Sequence, residues 1–260
     1  MTARGRRSPA SRRPPPRAVL FDLDETLFDF SRSEARALSG ALAGHGLRPA
    51  RSVVGVYREI NAALWARYRR GTIGQAALAR ERFRRLLRRL GADPAGAPEL
   101  GERYLALLSR RADLLPGCRR TLRALAERCR LAIVTNGIDR VQRGRLETSG
   151  LGGLFDVVVT SEGCGFRKPD PRIMEAALAA LGVSPRDALY VGDDLETDGG
   201  AARAAGVAFC WLDRRSGRNG GSPGPQGPRP GPRPRHRVTR LTELVALVER
   251  GGPRRRPPHL

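Results

Sequence analysis

The chain of 260 residues is long enough to bury a large hydrophobic core, and it carries a formal net charge of +22 at pH 7. No apolar stretch approaches the roughly 20 residues that a membrane-spanning helix needs, and no apolar segment typical of a signal peptide stands near the N-terminus. We therefore expect a soluble, cytoplasmic protein with no membrane partner.

The positive charge is concentrated at the two ends of the chain. Residues 1–17 contain six Arg and no acid, and residues 214–260 contain twelve Arg against two Glu. Their Arg-, Pro- and Gly-rich composition predicts disordered tails over residues 1–16 and 251–260 and a linker over residues 214–236. Salt-sensitive attraction to nucleic acid is the alternative, but these ends lack aromatic residues that stack on bases. We expect at most weak, non-specific binding of nucleic acid.

Short apolar runs separated by helical patterns predict the core of the fold. The predicted strands are residues 18–21, 131–134, 157–159, 188–191 and 207–211. The predicted helices are about 117–129, 140–149, 171–181 and 199–205, the third with Asp170 as N-cap and Pro171 in its first turn. This alternation predicts an α/β fold, a Rossmann-like doubly wound parallel sheet with right-handed crossovers.

Residues 29–112 interrupt the alternation because they show only helical periodicity. They predict an all-helical cap domain, inserted above the strand ends where open parallel sheets bind ligands. We assign residues 17–28 and 113–213 to the core and residues 237–250 to a terminal strand and helix that dock on it. The cap is placed to act as a lid.

Two polar motifs follow the first two predicted strands. Asp22-Leu23-Asp24-Glu25-Thr26 places two carboxylates two residues apart, where one can attack an electrophile while the other moves a proton. Val134-Thr135-Asn136-Gly137 offers a hydroxyl and backbone N–H groups to phosphate oxygens. Each motif alone also fits an ordinary turn.

Two further motifs carry a lysine and a group of acids. Lys168 is the only lysine in a chain that otherwise uses Arg, and its ammonium can neutralise a nucleophile and a transferring phosphoryl group. Residues 192–198 include Asp193 and Asp198, whose oxygens are the ligands that Mg²⁺ prefers. Because all four motifs fall at the predicted C-terminal ends of different parallel strands, they predict one site.

With these motifs the chain resembles the haloacid dehalogenase superfamily, and its helical insertion resembles the type-1 cap of that superfamily. A closer resemblance is to the bacterial non-canonical pyrimidine nucleotidases. The stretches that carry it are residues 21–28, 61–73, 134–151, 161–169 and 210–213. Gly199-Gly200, where relatives usually carry an aliphatic pair, and the linker and tails depart from the pattern.

The resemblance implies a mechanism in which Asp22 attacks phosphorus and becomes an aspartyl-phosphate. Asp24 would protonate the leaving alkoxide and then deprotonate the water that hydrolyses the intermediate. A Mg²⁺ cofactor is implied at Asp22, the Asp24 backbone carbonyl and Asp193, with Asp198 supporting the water shell of the metal. The groups implied to bind the phosphoryl oxygens are Thr135, Asn136 and Lys168.

The preferred ester is left open by the shared core. The cap stretch 61–73 favours a pyrimidine nucleoside 5′-monophosphate, and the alternatives are a sugar-phosphate or phosphoglycolate phosphatase or a phosphomutase. A haloalkanoate dehalogenase would need neither a metal nor a second carboxylate, and a nucleic-acid-binding protein on an inactive scaffold would not need all four motifs. Trp65 and Tyr68 either face the substrate or, as we favour, pack in the cap. The protein is expected to be a monomer or a homodimer.

Overall fold

A six-stranded parallel sheet forms the centre of the fold, in a computed structural model that describes residues 14–214 and 231–249. The strands are β1 Ala18–Phe21, β2 Arg130–Thr135, β3 Val157–Thr160, β4 Ala188–Gly192, β5 Ala208–Leu212 and β6 His236–Val238. Their order across the sheet is β3-β2-β1-β4-β5-β6. The direction of winding therefore reverses between β1 and β4. Of the tails expected at residues 1–16 and 251–260, residues 1–13 and 251–260 lie outside the described residues, while Pro15 is described and buried.

Four helices are inserted between β1 and the next core helix. They are α1 Phe30–Gly44, α2 Arg51–Arg69, α3 Gln75–Arg89 and α4 Ala97–Ser109. Three aromatic rings, those of Tyr57, Phe83 and Tyr104, meet between them with centroids 5.2–5.7 Å apart. The insertion thus has a hydrophobic cluster of its own, which confirms the predicted class of a Rossmann-like core with a helical cap.

The two connections between insertion and core run side by side. Phe28 forms an antiparallel bridge with Leu114, and the Asp29 N–H donates to the Asp113 carbonyl at 2.8 Å. We call residues 28–30 and 113–114 the cap hinge.

Helices cover both faces of the sheet. One face packs against α5 Cys118–Ala126, α6 Asp139–Thr148 and α10 Glu243–Glu249, and the other against α8 Arg172–Leu181 and α9 Thr197–Ala204; the short helix α7 Ser161–Cys164 follows β3. Within β1, Val19 and Phe21 point to the first face and Ala18 and Leu20 to the second, all fully buried. Each large buried side chain contributes about 1.5–3 kcal/mol, so the two-sided burial fixes β1 as a central strand.

Two predictions differ from the structure. Helix α8 begins at Arg172, one residue after its expected start, although Pro171 already has helical backbone angles (φ −62°, ψ −26°); Asp170, the expected N-cap, accepts from the Arg172 N–H at 3.0 Å. The predicted linker 214–236 was wrong at its described end, since the Arg235 N–H donates to the Phe209 carbonyl at 2.9 Å and His236 begins β6. This end adds the edge strand of the sheet. Residues 215–230 lie outside the described part.

Helices that could cross a membrane do not occur among the described residues, where none is long and apolar enough.

Candidate active site

Three of the four predicted motifs meet at the C-terminal edge of adjacent strands. Asp22 follows β1, Thr135 ends β2, and Gly192 ends β4 and leads into Asp193. The fourth motif comes from the loop between α7 and α8, which carries Lys168. Because the sheet reverses direction between β1 and β4, this edge opens the crevice in which such sheets bind ligands.

Lys168 occupies the centre of the site, with only 3% of the residue exposed. Its Nζ donates to Asp22 Oδ1 at 2.6 Å, Asp198 Oδ1 at 2.7 Å and the Tyr190 hydroxyl at 2.9 Å. An ammonium has three protons, so all of them are used. Burial disfavours the charged form, but the carboxylates of Asp198 and Asp22 outweigh it and hold the pKa of Lys168 above its ordinary value.

The backbone around Lys168 is fixed by Asn136. The Lys168 N–H donates to Asn136 Oδ1 at 2.8 Å, and Asn136 Nδ2 donates back to the Lys168 carbonyl at 3.0 Å. This reciprocal pair ties the end of β2 to the lysine loop. The Thr135 hydroxyl, which lies in the same turn, accepts from the Gly137 N–H at 3.1 Å.

Asp198 reaches the site from α9 because Gly192 leaves it room. A Cβ on Gly192 would lie 2.3 Å from Asp198 Oδ2, closer than such atoms approach. Asp198 Oδ2 also accepts from the Asp194 N–H at 3.1 Å. The glycine at the end of β4 is therefore a packing requirement of the acidic side chain.

Asp22, Asp193 and Asp198 form an acidic group that fits a divalent cation. Their nearest carboxylate oxygens lie within 4.8 Å of one another. Burial, then repulsion from Asp198 and Asp24, raises the pKa of Asp22 to about 7 against the pull of Lys168, and burial and the same kind of repulsion raise the pKa of Asp193. One ammonium does not balance three carboxylates, and an oxygen-only donor set suits Mg²⁺.

The Asp24 carboxylate has hydrogen-bond partners other than Lys168. It accepts from Gln142 Nε2 at 2.8 Å and from Arg145 Nη1, both on α6. A metal contact of Asp24 through its backbone carbonyl, as the sequence implied, stays a prediction, as do the roles of the other site residues.

The cap reaches the core through α4, which packs against α6, and through the C-terminal half of α2. The Tyr68 hydroxyl lies 3.2 Å from Ser161 Oγ, and the Arg167 guanidinium lies over the Tyr68 ring at 5.0 Å. Trp65 contacts the same ring edge-on, with centroids 5.4 Å apart. The Tyr68 ring packs with Leu64 in a small cap cluster, as favoured from sequence, while its hydroxyl extends to the core.

Comparison with known proteins agrees with this geometry. The haloacid dehalogenase-like hydrolase model matches residues 16–206, which is most of the chain. The chain belongs to that family. It is therefore an enzyme, a hydrolase, and the family resemblance identified from the motifs is confirmed.

Among relatives of this hydrolase, Escherichia coli (strain K12) pyrimidine 5′-nucleotidase YjjG is 33% identical over 196 residues, covering 75% of this chain and 85% of the relative. Thermus thermophilus phosphoserine phosphatase is 42% identical over 160 residues, covering 58% and 63% respectively. A crystal structure of the putative hydrolase YfnB from Bacillus subtilis, bound to magnesium, superposes with a TM-score of 0.79 at 27% identity, covering 90% of this chain and 99% of that chain.

Sequence reasoning missed three polar side chains of the hydrolase site. Tyr190 lies within an apolar strand. Its hydroxyl oxygen is 3.0 Å from Asp198 Oδ1 and 3.1 Å from the Val134 carbonyl oxygen, and either can accept its proton. Gln142 and Arg145 are three residues apart on a helix that follows a strand, a spacing that puts both on one face. That spacing was the available signal, but an Arg in an Arg-rich chain does not stand out.

Proposed function

We propose that this hydrolase is a Mg²⁺-dependent phosphomonoesterase that works through an aspartyl-phosphate and prefers a pyrimidine nucleoside 5′-monophosphate. The observation that carries the chemistry is the contact of one buried ammonium, Lys168 Nζ, with both Asp22 and Asp198 at the edge of β1 and β4. A carboxylate in this position has a cation beside it. The positive charge of that cation also stabilises the negative oxygens of a phosphoryl group that the carboxylate attacks.

In the first step, the free carboxylate oxygen of Asp22 attacks phosphorus and the bond to the leaving alkoxide breaks. Asp24, two residues further along the chain, gives its proton to that alkoxide. In the second step Asp24 takes a proton from water, whose oxygen attacks phosphorus and releases inorganic phosphate and the Asp22 carboxylate. Each proton that Asp24 donates is thereby regained within one turnover.

The residues that would hold Mg²⁺ are Asp22, Asp193 and the Asp24 carbonyl, with Asp198 supporting the waters of the metal. The bound ion supplies positive charge to the phosphoryl oxygens. The magnesium in the YfnB crystal structure, a relative of the same fold, supports this assignment.

The pyrimidine preference rests on the cap and on the relatives. The YjjG nucleotidase is similar over most of both chains, whereas the phosphoserine phosphatase match covers a smaller share of each. Trp65 is half-buried and packs edge-to-face with Tyr68, whose hydroxyl contacts Ser161 of the core. Since the core chemistry is shared among esters, discrimination must come from cap contacts with the leaving group.

The test is a panel of phosphate esters assayed with purified protein. We expect kcat/KM for deoxyuridine and thymidine monophosphates to exceed that for purine monophosphates, phosphoserine, phosphoglycolate and hexose phosphates by about tenfold or more. Chelation with EDTA should stop turnover and Mg²⁺ restore it, and Asp22→Asn should be inactive in Mg²⁺. A different ester leading the panel would contradict the substrate, and turnover by Asp22→Asn would contradict the covalent mechanism.

A further inference from the structure

Arg145 is a charged side chain that is completely buried beneath the cap hinge, with 0% of the residue exposed. Its guanidinium lies over the Phe28 ring at 4.3 Å and the Phe30 ring at 5.7 Å. These two rings flank Asp29, the residue at which the chain enters the cap. The aromatic rings of the cap hinge, and not water, therefore surround the charge of Arg145.

The guanidinium of Arg145 donates hydrogen bonds to one carboxylate and to one amide oxygen. Nη1 donates to Asp24, and also to Gln142 Oε1 at 3.0 Å, whereas Nε and Nη2 have no hydrogen-bond partner among the described residues. Burying a guanidinium with unpaired donors costs free energy, and its ion pair with Asp24, whose side chain is 29% exposed, returns little stability. Stability therefore does not explain the burial of Arg145. Its contact with Asp24 offers another reason.

Gln142 completes the arrangement by holding the second oxygen of Asp24. Its Nε2 donates to Asp24 Oδ2 at 2.8 Å, while Arg145 holds Oδ1. The amide reaches this position because Gly137 has no Cβ, which would lie 2.0 Å from Nε2. With both oxygens held from one helix face, the carboxylate has one orientation instead of several rotamers.

We infer that Arg145 and Gln142 are positioning residues that orient the Asp24 carboxylate for proton transfer, with Arg145 anchored by the aromatic rings of the cap hinge. The inference rests on the proposed function, because it presumes that Asp24 exchanges a proton with the leaving group. Neither Arg145 nor Gln142 needs to touch the phosphoryl group. Each acts through Asp24.

The test compares two leaving groups, because only one of them needs a proton. An alkyl phosphate, the best ester of the panel above, leaves as an alkoxide and depends on Asp24, whereas p-nitrophenyl phosphate leaves as a stable phenolate. For Arg145→Met we expect kcat/KM to fall about 10²-fold with the alkyl phosphate and to stay close to wild type with p-nitrophenyl phosphate. Asp24→Asn should show the same selectivity, and the double variant should add little to it.

Gln142→Leu provides a second, milder variant in case Arg145→Met does not fold. It should show the same direction of selectivity with a smaller effect. Arg82→Met is the matched control, since Arg82 is also buried (3% exposed) but lies in the cap on α3; its two kcat/KM values should change by the same factor.

An equal loss with both leaving groups in Arg145→Met and Gln142→Leu would show a merely structural role and overturn the inference. Failure of the proposed function looks different, since wild-type protein would then hydrolyse neither ester, and the inference would fall with it.

Discussion

The tetrahedral ammonium of Lys168 matches its three partners in number and in direction. Asp22, Asp198 and Tyr190 all have an oxygen within 2.9 Å of Nζ, and Lys168 is almost fully buried. A guanidinium is planar and needs partners in its own plane. The use of lysine at this one position of an Arg-rich chain therefore has a geometric reason.

Lys168→Arg should consequently lower kcat by about 10²-fold or more, although the charge is kept. The measurement is steady-state kcat with saturating ester and Mg²⁺, after the fold has been checked by circular dichroism. Arg172→Lys is the matched control, because Arg172 is exposed and pairs only with Asp170 at the start of α8; it should keep the wild-type kcat. Near-normal kcat in Lys168→Arg would remove the role given to the lysine.

At the scale of elements, the C-terminal half of α2 contacts the core beside β3, while α4 packs against α6. Tyr68 is nearly buried, and its hydroxyl meets Ser161 at the start of α7, one residue beyond β3. Ser161 Oγ in turn lies 3.3 Å from the Asn136 carbonyl, in the loop that fixes Lys168. Tyr68 of α2 is thus linked through Ser161 to Asn136, at the end of β2.

We expect Tyr68→Phe and Ser161→Ala each to lower the free energy of unfolding by about 0.5–1.5 kcal/mol, with the double variant losing about as much as Ser161→Ala alone. Urea unfolding followed by fluorescence and by circular dichroism measures this double-mutant cycle. Tyr57→Phe is the control, because the Tyr57 hydroxyl is buried on the same helix but Ser161 pairs with Tyr68; Tyr57→Phe and Ser161→Ala should therefore be additive. Additive losses in the double variant would mean that the contact between α2 and α7 carries no energy.

At the scale of the whole molecule, the acidic group links folding to pH and to the cation. The pKa of Asp22 is about 7 in the fold and 3.8 as its ordinary value, so between these values the folded state holds a proton that the unfolded chain releases. Stability from this group is therefore lost as pH rises from about 4 to about 7. The raised pKa of Asp193 acts in the same direction.

In EDTA, wild-type protein should lose on the order of 2 kcal/mol of unfolding free energy relative to Asp22→Asn as pH rises from about 5 to about 7. Mg²⁺ should reverse this trend, because it binds the ionised carboxylates of the folded state, and its stabilisation should grow with pH. The measurement is urea unfolding across this pH range with chelator or with Mg²⁺. Parallel pH curves for wild type and Asp22→Asn in EDTA would contradict the assignment of the shift to Asp22.

The sequence alone determined the sheet and the place of the site. Runs such as residues 18–21 are apolar on both sides, which only a central parallel strand satisfies, and polar motifs directly after such strands must meet at one edge. This reasoning located Asp22, Thr135 and Asp193 without coordinates. A short stretch of sequence is enough for this, because its apolar pattern indicates a buried strand and the polar residues after it mark the C-terminal end of that strand.

Only the tertiary structure decided which side chains complete that edge. The Tyr190 hydroxyl reaches Lys168 from inside an apolar strand, and Arg145 is buried although it resembles the many arginines at the surface. The hydrogen bonds of the Asp24 carboxylate depend on α6, which lies more than a hundred residues further along the chain. Periodicity shows which face a residue presents, but its partner across a packed interface depends on how distant elements meet.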